Sequence, residues 1–267
     1  MRPVADRRHR LVGLDAAATA VVRVLDGDER RARVVYVVGP YRRTELFLGK
    51  EPVGAVERIA GVEGRVDLLR KIIGAGIQGR YNLLALAAAM PTLERVRVFD
   101  INPRMCDGFV TALAGELQLK FEIGQSPREV IEGAEIIVTA TGRLDQPIFK
   151  EKWISPGALV LPVHHRGWEN PTLHKVDKFI TDDWQQLKLA HETVGGFDGP
   201  LPQRHAELGK IIIGQRPGRE NEKERIIDFN YGLAIEDVAM ANEIYMRAKA
   251  NGLGQILRLI ESELPYA

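Results

Sequence analysis

The sequence holds a single cysteine, Cys106, which excludes an internal disulfide framework and any multi-cysteine metal site. It lacks an excess of charge of either sign: 37 Lys and Arg against 36 Asp and Glu leave a net +1. Such a chain has no field with which to draw nucleic acid or an anionic membrane. No apolar run approaches the roughly 18 residues that a membrane helix needs. The opening Met1-Arg2-Pro3-Val4-Ala5-Asp6 has no apolar core of the signal-peptide kind. These absences make a cytoplasmic globular protein the expectation, without nucleic-acid or membrane partners. A 45% hydrophobic fraction is ordinary for a packed core, and 267 residues suit one large domain or a nucleotide domain with a smaller partner.

The first seventy residues read differently from the rest. They hold thirteen Arg and one Lys, against thirteen Arg and ten Lys beyond. Val34–Val38 and Leu46–Leu48 read as strands, and Ala16–Leu25 as a helix or a strand. From Leu68 the pattern becomes regular. Leu69–Ile73 is an apolar run ending in glycine, Gln78–Met90 is helical, and Val96–Phe99 is a strand. Asn102-Pro103 supplies an N-cap and a first-turn proline for a helix to about Leu117. Phe121–Ile123 is a brief strand, and Ser126-Pro127-Arg128-Glu129 a capping box whose helix stops at Gly133. Glu135–Thr139, Leu159–Val163 and Phe179–Thr181 are further strands. Ile211–Ile213 and Ile226–Phe229 are short strands or buried turns, and Ala234–Asn251 is a long amphipathic helix. Short apolar runs alternating with helices predict an α/β fold: a doubly wound, Rossmann-type parallel sheet.

Chemistry enters at Gly74-Ala75-Gly76-Ile77-Gln78-Gly79, between a strand and a helix. Gly74 permits a sharp turn, Gly76 admits a pyrophosphate to the backbone, and Gly79 lets the helix pack close to the strand. The helix N-terminus offers free N–H groups and a partial positive charge to phosphates. The next strand ends in Asp100, twenty-one residues after Gly79, where a carboxylate meets the hydroxyls of an adenosine ribose; Ile101 adjoins it. A plain helix-entry residue is the rival reading of Asp100. The carboxylate favours NAD, while Arg104 keeps NADP open. Thr139-Ala140-Thr141-Gly142 follows the fourth strand, Glu135–Thr139, where small residues let a dinucleotide cross the strand ends; a simple β-turn explains them equally.

Beyond the glycine loop, several segments resemble the ornithine cyclodeaminase and mu-crystallin family. They are Val96–Pro103, Ala134–Gly142, Gly157–Val163, Ala206–Gly209, Arg216–Arg219, Phe229–Asp237 and Ile244–Gly254, in the family's order and approximate spacing. The resemblance implies an NAD-dependent enzyme moving a hydride at the amine- or imine-bearing carbon of a small amino or imino acid. A cyclodeaminase, an amino acid dehydrogenase or a ketimine reductase all fit. It also implies a homodimer joined through a reduced second domain for substrate and dimerisation. That domain would comprise the N-terminal segment (1–65) and the C-terminal segment (206–267), flanking a nucleotide domain over 66–205. Within Phe229-Asn230-Tyr231-Gly232, the resemblance sets Asn230 and Gly232 beside the nicotinamide, against an ordinary strand-to-helix turn. A catalytically impaired NAD(P)H binder of the mu-crystallin type is the alternative.

The sequence departs from the family at its substrate residues. The family's N-terminal lysine and arginines have no counterpart in register: Lys50 and Arg43 lie too close to the loop and read as surface charge. A truncated or frame-displaced start is one reading of this, and a native but divergent segment the other. The aspartate that cyclodeaminases carry after the fifth strand is also missing. Here the loop reads Pro162-Val163-His164-His165-Arg166-Gly167-Trp168. His164 or His165 is the candidate to shuttle a proton, and Arg166 to hold a substrate carboxylate; solvated loop histidines are the rival. Asp182-Asp183 reads as helix capping rather than a metal pair. Asp198 lies in a glycine-rich loop with the look of a mobile cover, which turn chemistry explains equally well, and Cys106 reads as a core residue.

Overall fold

The structure, a computed structural model, describes residues 19–25, 32–38, 69–90, 93–142, 144–164, 166–194 and 197–255. Eight parallel strands form the main sheet: β3 (Leu69–Ile73), β4 (Arg95–Phe99), β5 (Lys120–Ile123), β6 (Ile136–Thr139), β7 (Leu159–Pro162), β8 (Lys178–Thr181), β9 (Ala206–Glu207) and β10 (Ile226–Phe229). Their order is β5-β4-β3-β6-β7-β10-β8-β9. The chain runs outward from β3 in one direction as far as β5, then returns to the other side of β3 as β6. That reversal is the switch point beside which ligands bind in such sheets.

Residues alternate between two covered faces because a strand's side chains have a period of two. Ile72, Val98, Val138, Leu159, Ile180 and Ile226 face one core. Into it pack α1 (Ile77–Ala89), α2 (Pro103–Ala114) and α6 (Leu208–Ile212) through Leu83, Phe109 and Ile211. Ile73, Ile137, Val160, Phe179 and Ile227 face the other. There α3 (Pro127–Ile131), α4 (Asn170–Lys175) and α5 (Trp184–Val194) contribute Ile131, Leu173 and Leu187. Strands covered on both faces become continuous apolar runs, as in Ile136–Val138 of the fully buried β6.

Local signals explain the element ends. The Asn102 side chain accepts a hydrogen bond from Arg104 N (3.2 Å), and Ser126 Oγ one from Glu129 N (3.2 Å). The Glu129 carboxylate reaches one residue further back than a capping box requires, to Gln125 N (2.8 Å). Cys106 is buried in the first core, where burial pushes its thiol pKa up. Lys71, inside β3, is also buried; its ammonium is held by the carbonyls of Glu129 and Glu132 at the end of α3, and burial lowers its pKa.

Two expectations change and one is resolved. Ile211–Ile213, read as a strand or turn, belongs largely to α6. Ile226–Phe229 is an inner strand of the sheet, so the boundary expected after residue 205 falls inside it. Near the start, Ala16–Leu25 resolves as strand β1 (Thr19–Leu25), antiparallel to β2 (Ala32–Val38). Leu46–Leu48, Lys50 and Arg43 lie outside the described residues. Contacts divide the chain into residues 17–233 and a second unit of 1–16 with 234–267. The described part of that second unit is α7 (Ala234–Ala250) with its exit through Gly252 (φ 64°). α7 exposes Ile235, Val238, Tyr245 and Met246. No helix among the described residues is long and apolar enough to cross a membrane.

The Arg216–Arg219 segment closes the sheet's N-terminal end, away from the glycine loop. Buried Lys178 donates to Gly218 O (2.5 Å) and Glu220 Oε2 (2.7 Å), and its ammonium lies 3.1 Å from Glu224 Oε2. Lys178→Met leaves the buried Glu224 carboxylate without its cation and should cost about 3 kcal/mol in urea unfolding; a loss below about 0.5 kcal/mol, the range of plain surface changes, would contradict this account of the segment.

Candidate cofactor and active site

The turn between β3 and α1 is built by three glycines with different duties. Gly74 turns at φ 102°, a conformation open to glycine but costly for other residues. A Cβ on it would also overlap the Ala140 carbonyl at the end of β6. On Gly79 it would overlap the Gly74 carbonyl, so helix and strand touch there, backbone to backbone. Gly76 is unlike both: nothing lies within 4 Å of where its Cβ would stand. It begins α1 without a side-chain cap. The protein itself requires two of the glycines, and the third leaves a backbone surface open beside helical N–H groups. A diphosphate fits such a surface.

Hydrogen bonds continue the ladders one residue past the strand ends and align the loops along one edge. Gly74 N donates to Phe99 O (2.8 Å), Ala140 N to Ile73 O (2.6 Å), and Val163 N to Thr139 O (2.8 Å). Asp100 stands at the end of β4. Its Oδ2 accepts from Ala75 N (2.9 Å) and its Oδ1 from Asn102 N (2.9 Å), which ties the carboxylate to the glycine turn. Ile77 and Ile101 are 47% and 92% exposed, apolar surface held out beside that turn and that carboxylate. Gln78 Oε1 and Thr141 Oγ1 are buried with no hydrogen-bond partner.

Thr139 has another task. It is wholly buried, and its hydroxyl accepts from Trp168 Nε1 (3.2 Å), so its side chain braces the loop after β7 instead of facing outward. In that loop His164 is buried, its ring 5.7 Å from that of Phe149. Any Cβ on Gly167 would collide with the imidazole, so Gly167 makes room for the ring. His165 lies outside the described residues. Arg166 is held by Asp198, Nη2 to Oδ1 at 2.9 Å. Around Asp198, Asn170 Nδ2 donates to Pro200 O (3.0 Å), and buried Phe197 packs edge-on against Phe229 at 5.1 Å. Asp198 is thus the carboxylate that Arg166 meets in this structure.

The ends of β8 and β10 hold a cluster in which Asp182 and Asp183, both read from the sequence as helix capping, take different roles. Asp183 caps α5, accepting from Gln186 N (2.7 Å). Asp182 is turned elsewhere: Oδ1 accepts from the Thr181 hydroxyl (3.1 Å) and Asp183 N (2.8 Å), and Oδ2 from Gly232 N (2.6 Å). Gln186 Nε2 donates to Gly232 O (3.1 Å), so Gly232 (φ 87°) is gripped on both sides. Burial, with the Asp182 charge beside it, pushes the Tyr231 phenol up to about 12. Asp228, in the middle of this cluster, went unremarked in the sequence. Burial pushes its carboxyl up to about 7, opposed by a hydrogen bond from the Asn230 side chain and assisted by Asp182. The available signal was an acid inside the apolar run Ile226-Ile227-Asp228-Phe229, since a buried carboxyl is costly and needs a reason.

Fold and turn together define a dinucleotide-binding α/β domain. Residues 69–252 match the ornithine cyclodeaminase/mu-crystallin family, and the chain belongs to it. Among curated relatives, the nodulation efficiency protein NfeD of Rhizobium meliloti is 34% identical over 188 residues, 70% of this chain and 57% of that protein. N-((2S)-2-amino-2-carboxyethyl)-L-glutamate dehydrogenase of Staphylococcus aureus is 30% identical over 193 residues, again 70% and 57%. The chain therefore spans little more than half the length of these relatives. Among solved structures, Thermococcus litoralis Δ1-pyrroline-2-carboxylate reductase, in complex with NADH and L-proline, superposes with a TM-score of 0.62. It is 26% identical, over 76% of this chain and 66% of that one.

The two glycines make separable predictions. Gly79→Ala forces the backbones apart and should lower stability by about 1–3 kcal/mol. Gly76→Ala meets open space and should leave stability within about 0.5 kcal/mol, while weakening NADH binding. Denaturant unfolding and a fluorescence titration check both; equal stability losses would contradict the division.

Proposed function

We propose that this chain is the nucleotide-binding body of an NAD-dependent enzyme of amino or imino acids, acting at the carbon that bears the amine or imine. A cyclodeaminase, an amino acid dehydrogenase and a ketimine reductase share that chemistry. The observation that carries the proposal is the open backbone at Gly76 with the Asp100 carboxylate tied to the same turn, at the switch point of the sheet. Bound there, a nicotinamide coenzyme supplies or accepts the hydride.

The residues divide the binding work along the sheet edge. Gly74, Gly76, Gln78 and Gly79 form the diphosphate seat. Asp100 takes the adenosine ribose, favouring NAD because a carboxylate repels a 2′-phosphate, and Ile77 and Ile101 give the adenine apolar surface. Ala140 and Thr141 line the crossing over β6. Asn230 and Gly232 stand at the nicotinamide end, with Thr139 as a brace behind. His164 is the group to hold or release a proton, with His165 as its neighbour in sequence. Arg166 receives a substrate carboxylate in exchange for that of Asp198. Assembly as a homodimer belongs to the same reading, and the apolar side chains along α7 suit it.

The test is NADH-linked turnover: reduction of cyclic imino acids such as Δ1-pyrroline-2-carboxylate, and oxidation of ornithine, alanine and proline. Turnover of one of these, lost in His164→Ala, is the expected result. NADH binding without turnover of any would overturn the enzymatic reading. For the coenzyme, Asp100→Ala should cut the preference for NADH over NADPH by about tenfold, a change of about 1.4 kcal/mol; an unchanged ratio of dissociation constants would remove Asp100 from the ribose.

A further inference from the structure

The turn Asn230-Tyr231-Gly232 is fastened from two directions. From the β8 side, Asp182 and Gln186 hold the N–H and the carbonyl of Gly232 (2.6 and 3.1 Å). From its own strand, the Asn230 side chain bonds the Asp228 carboxyl. That second bond leaves two buried oxygens, Asp228 Oδ1 and Asn230 Oδ1, with no protein donor. Two orphaned acceptors in one bonded pair are costly, and one hydrogen resolves both. If Asp228 carries its proton, its O–H donates to the amide oxygen while the amide N–H donates to the other carboxyl oxygen. Two parallel hydrogen bonds then close a ring.

The surroundings keep the proton on Asp228. Asp182 already has three donors for its two oxygens: the Thr181 hydroxyl, Asp183 N and Gly232 N. Asp228 is 6% exposed, on an inner strand between β7 and β8, and faces the same core as Ile226. Its register partner on β8 is Ile180, and the charge bearing on it is that of Asp182, of its own sign. Asp228 keeps its proton.

We propose that Asp228 and Asn230 form a carboxylic acid–carboxamide pair that fixes the Asn230–Gly232 turn, making Asp228 a positioning residue for the nicotinamide end of the site. The seating role rests on the function proposed above; the acid–amide pair does not. Once Asp228 ionises, one of the two hydrogen bonds is lost, the amide is free to turn, and the coenzyme seat loosens.

Asp228→Asn and Asp228→Ala test it. The asparagine keeps two parallel hydrogen bonds, now amide to amide, and cannot titrate; the alanine keeps neither. NADH dissociation constants measured by fluorescence from pH 5.5 to 9 should rise about fivefold in the wild type as pH passes about 7. They should stay at the low-pH value in Asp228→Asn and be raised at every pH in Asp228→Ala. A wild-type pH dependence retained in Asp228→Asn, or Asp228→Ala matching the wild type, would overturn the seating role.

Thermal unfolding reads the pair without coenzyme. A carboxyl raised from 3.8 to about 7 on folding contributes stability that is full below pH 3.8, declines as pH rises to about 7 and is level above. The melting temperature of Asp228→Asn relative to wild type should therefore climb between pH 4 and 7 and then flatten. A constant difference across that range would overturn the neutral acid. Absence of NADH binding by the wild type at any pH would sink the coenzyme reading instead, and leave the pair to the melting data.

Discussion

The contact between the Gly74 carbonyl and Gly79 is the constraint on which the rest of the structure hangs. It is a strand end and a helix touching through bare backbone. No side chain can enter without driving α1 off the sheet. With α1 seated, Leu83 and Leu84 reach the core shared with Ile72, Val98 and Val138, and the uncapped first turn of the helix is brought to the strand ends. Gly74 passes the constraint to the neighbouring strand, since its own missing Cβ leaves room for Ala140. Asp100 closes the arrangement from the other side by accepting from Ala75 N. Packing and binding are set by the same few atoms.

Seen from this turn, the sheet separates two kinds of residue. At the C-terminal edge lie Asp100, Thr141, His164, Asn230 and Gly232. At the N-terminal edge the loop around Arg216–Arg219 is consumed in structure. Lys178 holds its Gly218 carbonyl, His205 Nε2 lies 2.9 Å from Pro217 O, and Arg219 reaches the carbonyl of Glu224. A segment characteristic of the family can thus be far from the chemistry. It anchors β10 in its place between β7 and β8, and β10 then delivers Asp228, Asn230 and Gly232 to the opposite edge.

Much of this was legible in the sequence, for local reasons. The glycine spacing, the Asn102 and Ser126 caps and the β-branched runs are signals carried by neighbouring residues. They placed β3, β4, β6, α1 and α2 to within a few residues. What escaped depended on partners distant in sequence. Ile211–Ile213 carries no helix signal against a strand, and only packing on Ile180 and Ala206 decides it. Ile226–Phe229 is too short to reveal an inner strand, and Asp228 inside it was passed over as one polar residue among many. Asp182 and Asp183 look equivalent side by side, yet one caps a helix and the other crosses to Gly232, fifty residues on. Arg166 and Asp198 gave no sequence sign of each other, so their ion pair was not foreseen.

The most direct test of the account is a structure of this chain with NADH bound. It should show the diphosphate oxygens within hydrogen-bond distance, 2.7–3.2 Å, of the backbone N–H groups that follow Gly76, and the adenosine ribose hydroxyls on Asp100. A diphosphate bound elsewhere, with the Gly76 backbone untouched, would contradict it.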